Sequence, residues 1–120
     1  GDRLILCAGA LADLYATMGG EVIMVGKPFA PTYDLAVAEA ARLAGRPLDR
    51  ARILCIGDGV GTDVKGAEDQ GLDCLFVTGG IHVGEGDADE ILAAAGTRAA
   101  YSLAALAWDG QNHVTPGATR

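Results

Sequence analysis

An α/β fold, with a parallel sheet flanked by helices, is the class that the 120-residue sequence predicts. Short apolar runs without polar alternation, such as Ile53–Ile56, are typical of strands that are covered on both faces. Helix-compatible stretches lie between these runs, and a strand–helix–strand order favours parallel pairing with right-handed crossovers. The 18 glycines suit close helix–sheet packing and tight turns. We therefore expect a small Rossmann-like domain.

The composition excludes several classes of protein. Half of the residues are hydrophobic, which argues against disorder. The net charge of −7 argues against a nucleic-acid binder, and no apolar run approaches the ~18 residues of a membrane span. The cysteines Cys7, Cys55 and Cys74 are odd in number and lack metal-ligand spacing. Cys55 and Cys74 lie inside apolar runs and are predicted to be free thiols in the core, which fits a reducing cytoplasm.

The first half of the chain contains two predicted helices and one predicted strand. They are a helix over Gly9–Met18, a buried strand over Val22–Val25, a turn at Gly26–Pro28 and a helix running to Ala44. We expect Thr32 to cap the second helix, because a threonine side chain can accept the first free backbone N–H groups. Gly45 is expected to end it.

The second half repeats the alternation of strands and helices. The predicted elements are a strand over Ile53–Ile56, the loop Gly57–Asp63, a helix capped by Thr62 that ends at Gly71, a strand over Leu72–Thr78, a turn at Gly79–Gly80, a helix from Asp87 to Ala95, an edge strand over Ala99–Tyr101 and a helix from Ser102 to Trp108. Asp87 and Glu90 have the spacing of a capping box. The tail Asp109–Arg120 is expected to fray.

The loops that follow the three predicted strands are expected to share one rim, because the carboxyl ends of parallel strands lie at one edge of the sheet, where ligands bind. They are Gly26–Pro28, Gly57–Asp63 and Thr78–Gly80. The loop Gly57–Asp63 brings Asp58 and Asp63, whose carboxylates are ligands that Mg²⁺ prefers. Aspartate is also common for local reasons in tight turns, as at Asp58, and in first helical turns, as at Asp63. A dinucleotide site is the weaker alternative, since the glycine spacing is G-x-G-x-G rather than G-x-G-x-x-G.

Lys27 directly follows the predicted strand Val22–Val25, between Gly26 and Pro28. On the shared rim its ammonium would lie near Asp58 and Asp63. A cation there can keep clustered carboxylates ionised and offset the charge of a transferring phosphoryl group.

Over about residues 7–106 these motifs, in this order and spacing, resemble the carboxyl-terminal half of a haloacid dehalogenase-like (HAD) hydrolase. The detail is most similar to class IIA, the nitrophenylphosphatase-like and nucleotide or sugar phosphatases. The resemblance implies a Mg²⁺-dependent phosphohydrolase that acts on small phosphorylated metabolites through an aspartyl-phosphate. It also implies a division into a cap-return segment and linking helix (1–20), half of a HAD core (21–108) and a flexible tail (109–120).

The same resemblance implies roles for individual residues. Lys27 would steady the nucleophile and the phosphoryl intermediate, and Asp58 and Asp63 would hold Mg²⁺. The residues expected near the substrate phosphate are Gly26, Gly59, Thr62, Thr78, Gly79 and Gly80. His82 could touch substrate, although an exposed loop histidine is the simpler interpretation, and His113 is given no role.

The sequence departs from the family pattern at the nucleophile. The family's D-x-D motif follows an apolar strand, whereas the D-x-D of this sequence, Asp87-Ala88-Asp89, opens a predicted helix. Covalent phosphoryl transfer then has no acceptor. We expect a fragment that is inactive alone and needs the amino-terminal half of the same protein. Without that half, the strand Ile53–Ile56 would be an exposed edge prone to self-association.

The alternative is a non-catalytic α/β module that binds Mg²⁺, phosphate or a protein partner. A receiver-like version is disfavoured because Lys27 precedes both Asp58 and Asp63, the reverse of the receiver order.

Overall fold

The computed structural model describes residues 6–107 and the backbone of Thr115 and Pro116. Its elements in chain order are α1 (Ala8–Thr17), α2 (Ala30–Ala44), β1 (Leu54–Gly57), α3 (Lys65–Asp69), β2 (Asp73–Val77), α4 (Ala88–Ala94), β3 (Tyr101–Leu103) and β4 (Thr115–Pro116). A short 3₁₀ turn precedes β1, and a π-helical turn over Val60–Val64 joins β1 to α3. None of the described helices is both long and apolar enough to cross a membrane.

The sheet has the order β1-β2-β3-β4, and its first three strands are parallel. Cys55 of β1 pairs with Cys74 of β2, and Phe76 of β2 pairs with Ser102 of β3. β4 pairs antiparallel with β3. The predicted α/β class, with a parallel sheet and flanking helices, is confirmed.

The core lies on the face of β2 that carries Cys74 and Phe76. Phe76 is fully buried and packs in one cluster with Val64, at the end of the π-helical turn, and with Ile91 of α4. Burial raises the pKa of the Cys74 thiol to about 12, so this cysteine is a core residue rather than a nucleophile. Asp87 and Glu90 form the predicted capping box at the start of α4.

Two predictions for the first half are wrong. Residues 22–25 are not a strand, and Ile23 and Val25 are 76% and 62% exposed. An apolar run becomes a strand only where another strand satisfies its backbone, and these residues have no such neighbour in the described part of the chain. Thr32 does not cap α2, which begins after Phe29 because Pro31 takes a first-turn position. The hydroxyl of Thr32 instead donates to the carbonyl of Val25.

Further corrections fall in the second half. Gly59, not Thr62, precedes the turn after β1, and Thr62 lies inside that turn. The last parallel strand begins at Tyr101 and is flanked by β2 and β4, so it is not an edge. Ser102 belongs to this strand rather than capping a helix, and residues 104–107 are not helical. Trp108, His113 and most of the expected tail lie outside the described residues; Thr115–Pro116 forms β4.

Candidate functional site

The carboxyl end of β1 turns sharply into the residues that carry the site. The carbonyl of Gly59 accepts hydrogen bonds from the backbone N–H groups of Thr62, Asp63 and Val64. This tight turn places the Asp63 side chain back against β1, where a Cβ on Gly57 would collide with it. Glycine at position 57 is therefore required for the approach of this carboxylate.

Lys27 and Asp63 form an ion pair at this position. The Nζ of Lys27 lies 2.6 Å from Oδ1 of Asp63, with side-chain exposures of 52% and 13% respectively. The Asp63 hydrogen bond and charge, with a smaller contribution from the charge of Asp58, raise the pKa of Lys27. The other oxygen of Asp63, Oδ2, accepts the N–H of Gly59 at 3.0 Å.

Asp58 directly follows β1 and contacts the loop that follows β2. Its Oδ2 accepts the backbone N–H of Ile81 at 3.0 Å. Gly80 lies so close that a Cβ there would collide with the Asp58 side chain. The structure therefore brings the predicted residues Lys27, Asp58 and Gly80 to the same rim as Asp63.

Thr78 and Gly79 are placed differently. The hydroxyl and the N–H of Thr78 both donate to the carbonyl of Leu103, and Gly79 donates to Ala104, so this corner is fastened to the end of β3. Gly79 and Gly80 line an open groove of about 320 Å³, together with Gly57 and Asp58. Gly26 closes the turn that carries Lys27, since its carbonyl accepts the N–H of Phe29 at 2.9 Å.

Sequence reasoning missed Tyr33. This residue is the buried side chain of α2, and its hydroxyl donates to the carbonyls of Thr62 at 3.3 Å and of Asp63 at 3.5 Å. Burial raises the pKa of Tyr33 from 10.0 to about 12, so the hydroxyl remains a donor at pH values where an exposed tyrosine is ionised. Since the contacts join residues about 30 positions apart in the chain, no local pattern could have predicted them.

His82 is also placed differently from the expectation of an exposed loop residue. Its side chain is 22% exposed, and its ring packs edge-on against Phe76 with centroids 6.1 Å apart. Its Nε2 lies 3.4 Å from the N–H of Val60, and its Nδ1 lies 2.7 Å from Oε2 of Glu85.

The donor atoms at the rim suit a hard cation only in part. Mg²⁺ in proteins is held by one or two carboxylates, with water and substrate phosphate completing the octahedron. Asp58 and Asp63 supply two carboxylates at the end of β1. Among residues 6–107, no cluster of three or more His, Cys, Asp or Glu side chains has the arrangement of a metal site. Among the described residues, Asp58 and Asp63 are therefore the two carboxylates that this rim offers to such an ion.

Comparison with known proteins agrees with the resemblance drawn from the motifs. A family model described as HAD-hydrolase-like matches residues 24–106. A crystal structure of a hydrolase of the haloacid dehalogenase-like family from Brucella suis 1330 is similar, with 52% sequence identity and a TM-score of 0.57. The match covers 68% of this chain and 30% of that one. No protein of curated function matches the chain.

Proposed function

The chain belongs to the HAD-like hydrolase family, and from this premise we propose that it supplies one side of a Mg²⁺-dependent phosphohydrolase site. The substrates would be small phosphorylated metabolites, as for class IIA. The observation that carries the proposal is the 2.6 Å pair of Lys27 and Asp63 beside Asp58, at the carboxyl end of β1. We place the protein in the cytoplasm, because Cys7, Cys55 and Cys74 are free thiols.

Each charged residue has a distinct task in this proposal. Lys27 would offset negative charge on the phosphoryl group as it transfers, from a pre-organised position set by Asp63. Asp58 and Asp63 would hold Mg²⁺, directly or through water, and the bound ion would neutralise phosphoryl oxygens. The backbone N–H groups of Ile81 and Gly59 keep the two carboxylates oriented.

The nucleophile would come from another polypeptide segment. In the D-x-D of this sequence, Asp87 caps α4 and Asp89 lies in the first turn of that helix, so the pair does not follow a strand as the nucleophile motif does. A segment with a D-x-D after an apolar strand would form the aspartyl-phosphate. The chain spans 30% of the similar Brucella hydrolase, so that protein has ample length outside the match for such a segment.

β1 is where we place the complementing segment. In the described sheet β1 has a neighbour on one side only, and Leu54 and Ile56 are 44% and 51% exposed. An uncharged apolar edge of this kind pairs readily with another strand. Alone, the chain is expected to self-associate through the same edge. A light-scattering mass equal to one chain at all concentrations would contradict that expectation.

The test is hydrolysis of p-nitrophenyl phosphate with Mg²⁺ or with EDTA. The 120-residue chain alone is expected to give negligible turnover. The chain mixed with the polypeptide encoded immediately upstream of Gly1 is expected to give turnover that EDTA abolishes. Rapid hydrolysis by the chain alone, or none by the mixture, would overturn the proposal.

A second candidate is a non-catalytic module that binds Mg²⁺, phosphate or a protein partner, and the exposed edge of β1 favours it. The upstream DNA discriminates between the two. A D-x-D after an apolar strand, about one domain length before Gly1, favours the phosphohydrolase. A native start codon immediately before Gly1 favours the binding module.

A further inference from the structure

We propose that His82 is a positioning residue that fixes the loop between Asp58 and Asp63 through the backbone of Val60. The inference rests on the proposed function for its purpose, but its geometry is independent of any metal or substrate. Two consecutive residues after β2 contact the loop that carries Asp58 and Val60. The N–H of Ile81 donates to Asp58, and Nε2 of His82 accepts a hydrogen bond from the N–H of Val60.

The hydrogen bond to Val60 requires one tautomer of His82. Nε2 can accept from the N–H of Val60 only if it carries no proton, so the proton of the neutral ring must lie on Nδ1. Glu85 selects this tautomer, because its Oε2 lies 2.7 Å from Nδ1 and accepts a hydrogen bond from the Nδ1–H group. The Phe76 ring, packed edge-on, fixes the imidazole plane.

The bond lies at a sensitive position in the loop. Val60 is the first residue of the π-helical turn, where backbone N–H groups have no partner within the turn. Its neighbour Gly59 binds Oδ2 of Asp63, and Asp58 precedes Gly59. A shift at Val60 therefore moves both carboxylates relative to Lys27, which is how a residue that touches neither of them can alter the site.

Two substitutions separate positioning from packing. In His82→Gln the amide oxygen can reach the former position of Nε2 and accept from Val60. In His82→Asn the same amide is too short and corresponds instead to Nδ1. The two variants carry the same functional group and differ only in its reach. If unfolding measurements show that they are equally stable, any difference between them reports the hydrogen bond to Val60.

NMR of the 120-residue chain provides the test. Ring ¹⁵N shifts of the histidine whose signal disappears in His82→Gln are expected to show the Nδ1–H tautomer. The amide signals of Gly59, Val60 and Asp63 should shift in His82→Asn but remain near wild type in His82→Gln. The affinity for Mg²⁺ is measured by titration while the amide signal of Asp63 is followed. It should be about tenfold weaker in His82→Asn and within about twofold of wild type in His82→Gln.

An Nε2–H tautomer, or equal effects of the two substitutions on the loop signals, would overturn the inference. If the wild-type chain binds no Mg²⁺ even when complemented, the proposed function fails. The tautomer and the loop signals would still decide the role of His82 separately.

Discussion

Residues 54–103 and residues 6–44 are packed in very different ways. In the first region, β2, α3 and α4 enclose a core in which Phe76, Val64 and Ala67 are fully buried. In the second, α1 has no buried residue and α2 has one, Tyr33. The candidate site spans both regions, because Asp63 lies in the packed one and Lys27 in the loosely packed one. The proposed function therefore depends on the few contacts that join them.

The largest expected difference between the regions is in stability. Phe76→Ala should lower the free energy of unfolding by about 3–5 kcal/mol, since it leaves a cavity in the core. Leu14→Ala, on the exposed surface of α1, should change it by less than about 0.5 kcal/mol. Urea unfolding of the two variants measures both values. Similar losses would show that α1 packs more tightly than the structure indicates.

The junction between the regions is the next target. A Cβ at Gly66 of α3 would collide with the Tyr33 hydroxyl and lie 2.9 Å from Cα of Pro28. Gly66→Ala should therefore cost about 1–3 kcal/mol through overpacking, although alanine normally favours a helix. Adding Tyr33→Phe should recover part of that loss.

Gly61→Ala is the matched control for this junction, since no other part of the described structure lies within 4 Å of a Cβ at position 61. Unfolding of all variants by circular dichroism measures the differences. If Gly66→Ala stabilises the protein, then α2 does not dock against α3 as described.

The smallest expected effect is a dependence of stability on pH that appears only at high pH. Burial raises the pKa of Tyr33 from 10.0 to about 12. Between these pH values the native state holds a proton that the unfolded state has lost. This contribution to stability is complete below pH 10 and is lost as the pH rises to about 12. The raised pKa of Lys27 acts in the same direction at high pH.

Tyr33→Phe should therefore make stability less sensitive to pH between 10 and 12, leaving only the Lys27 contribution and other alkaline titrations. Free energies of unfolding measured across pH 9–12 in wild type and variant give the comparison. An equally steep decline in both would show that Tyr33 is not buried beside Asp63.

Much of the packed region could be predicted from sequence, because its signals are local. Apolar runs marked β1 and β2, and the spacing of Asp87 and Glu90 marked the start of α4. Lys27 lies beside Asp63 as expected, although the predicted strand Val22–Val25, from which its place on the rim was argued, does not form.

The errors arose where the outcome depends on a partner elsewhere. The run Val22–Val25 has the composition of a strand, but composition cannot supply the neighbouring strand that a ladder needs. Thr32 and Ser102 are both good capping residues. However, α2 begins earlier, with Pro31 in its first turn, and Ser102 pairs with Phe76 of β2 as part of β3. The contacts of His82 join separate loops and leave no periodic pattern in the sequence.

The functional link between the two regions can be measured with a double-mutant cycle. The variants are Lys27→Met, Asp63→Asn and their combination, each mixed with the upstream polypeptide and assayed for Mg²⁺-dependent hydrolysis of p-nitrophenyl phosphate. Lys65→Met and Asp69→Asn are the control, because they form an ion pair within α3 with side-chain exposures of 43% and 44%. The control variants should retain near wild-type kcat/KM.

Each single substitution at the site should lower kcat/KM by about 100-fold. The combination should be scarcely worse than either, since Lys27 and Asp63 act as one unit. Losses that multiply to about 10,000-fold, or single variants as active as the control, would contradict the claim that these two side chains form a shared phosphoryl site.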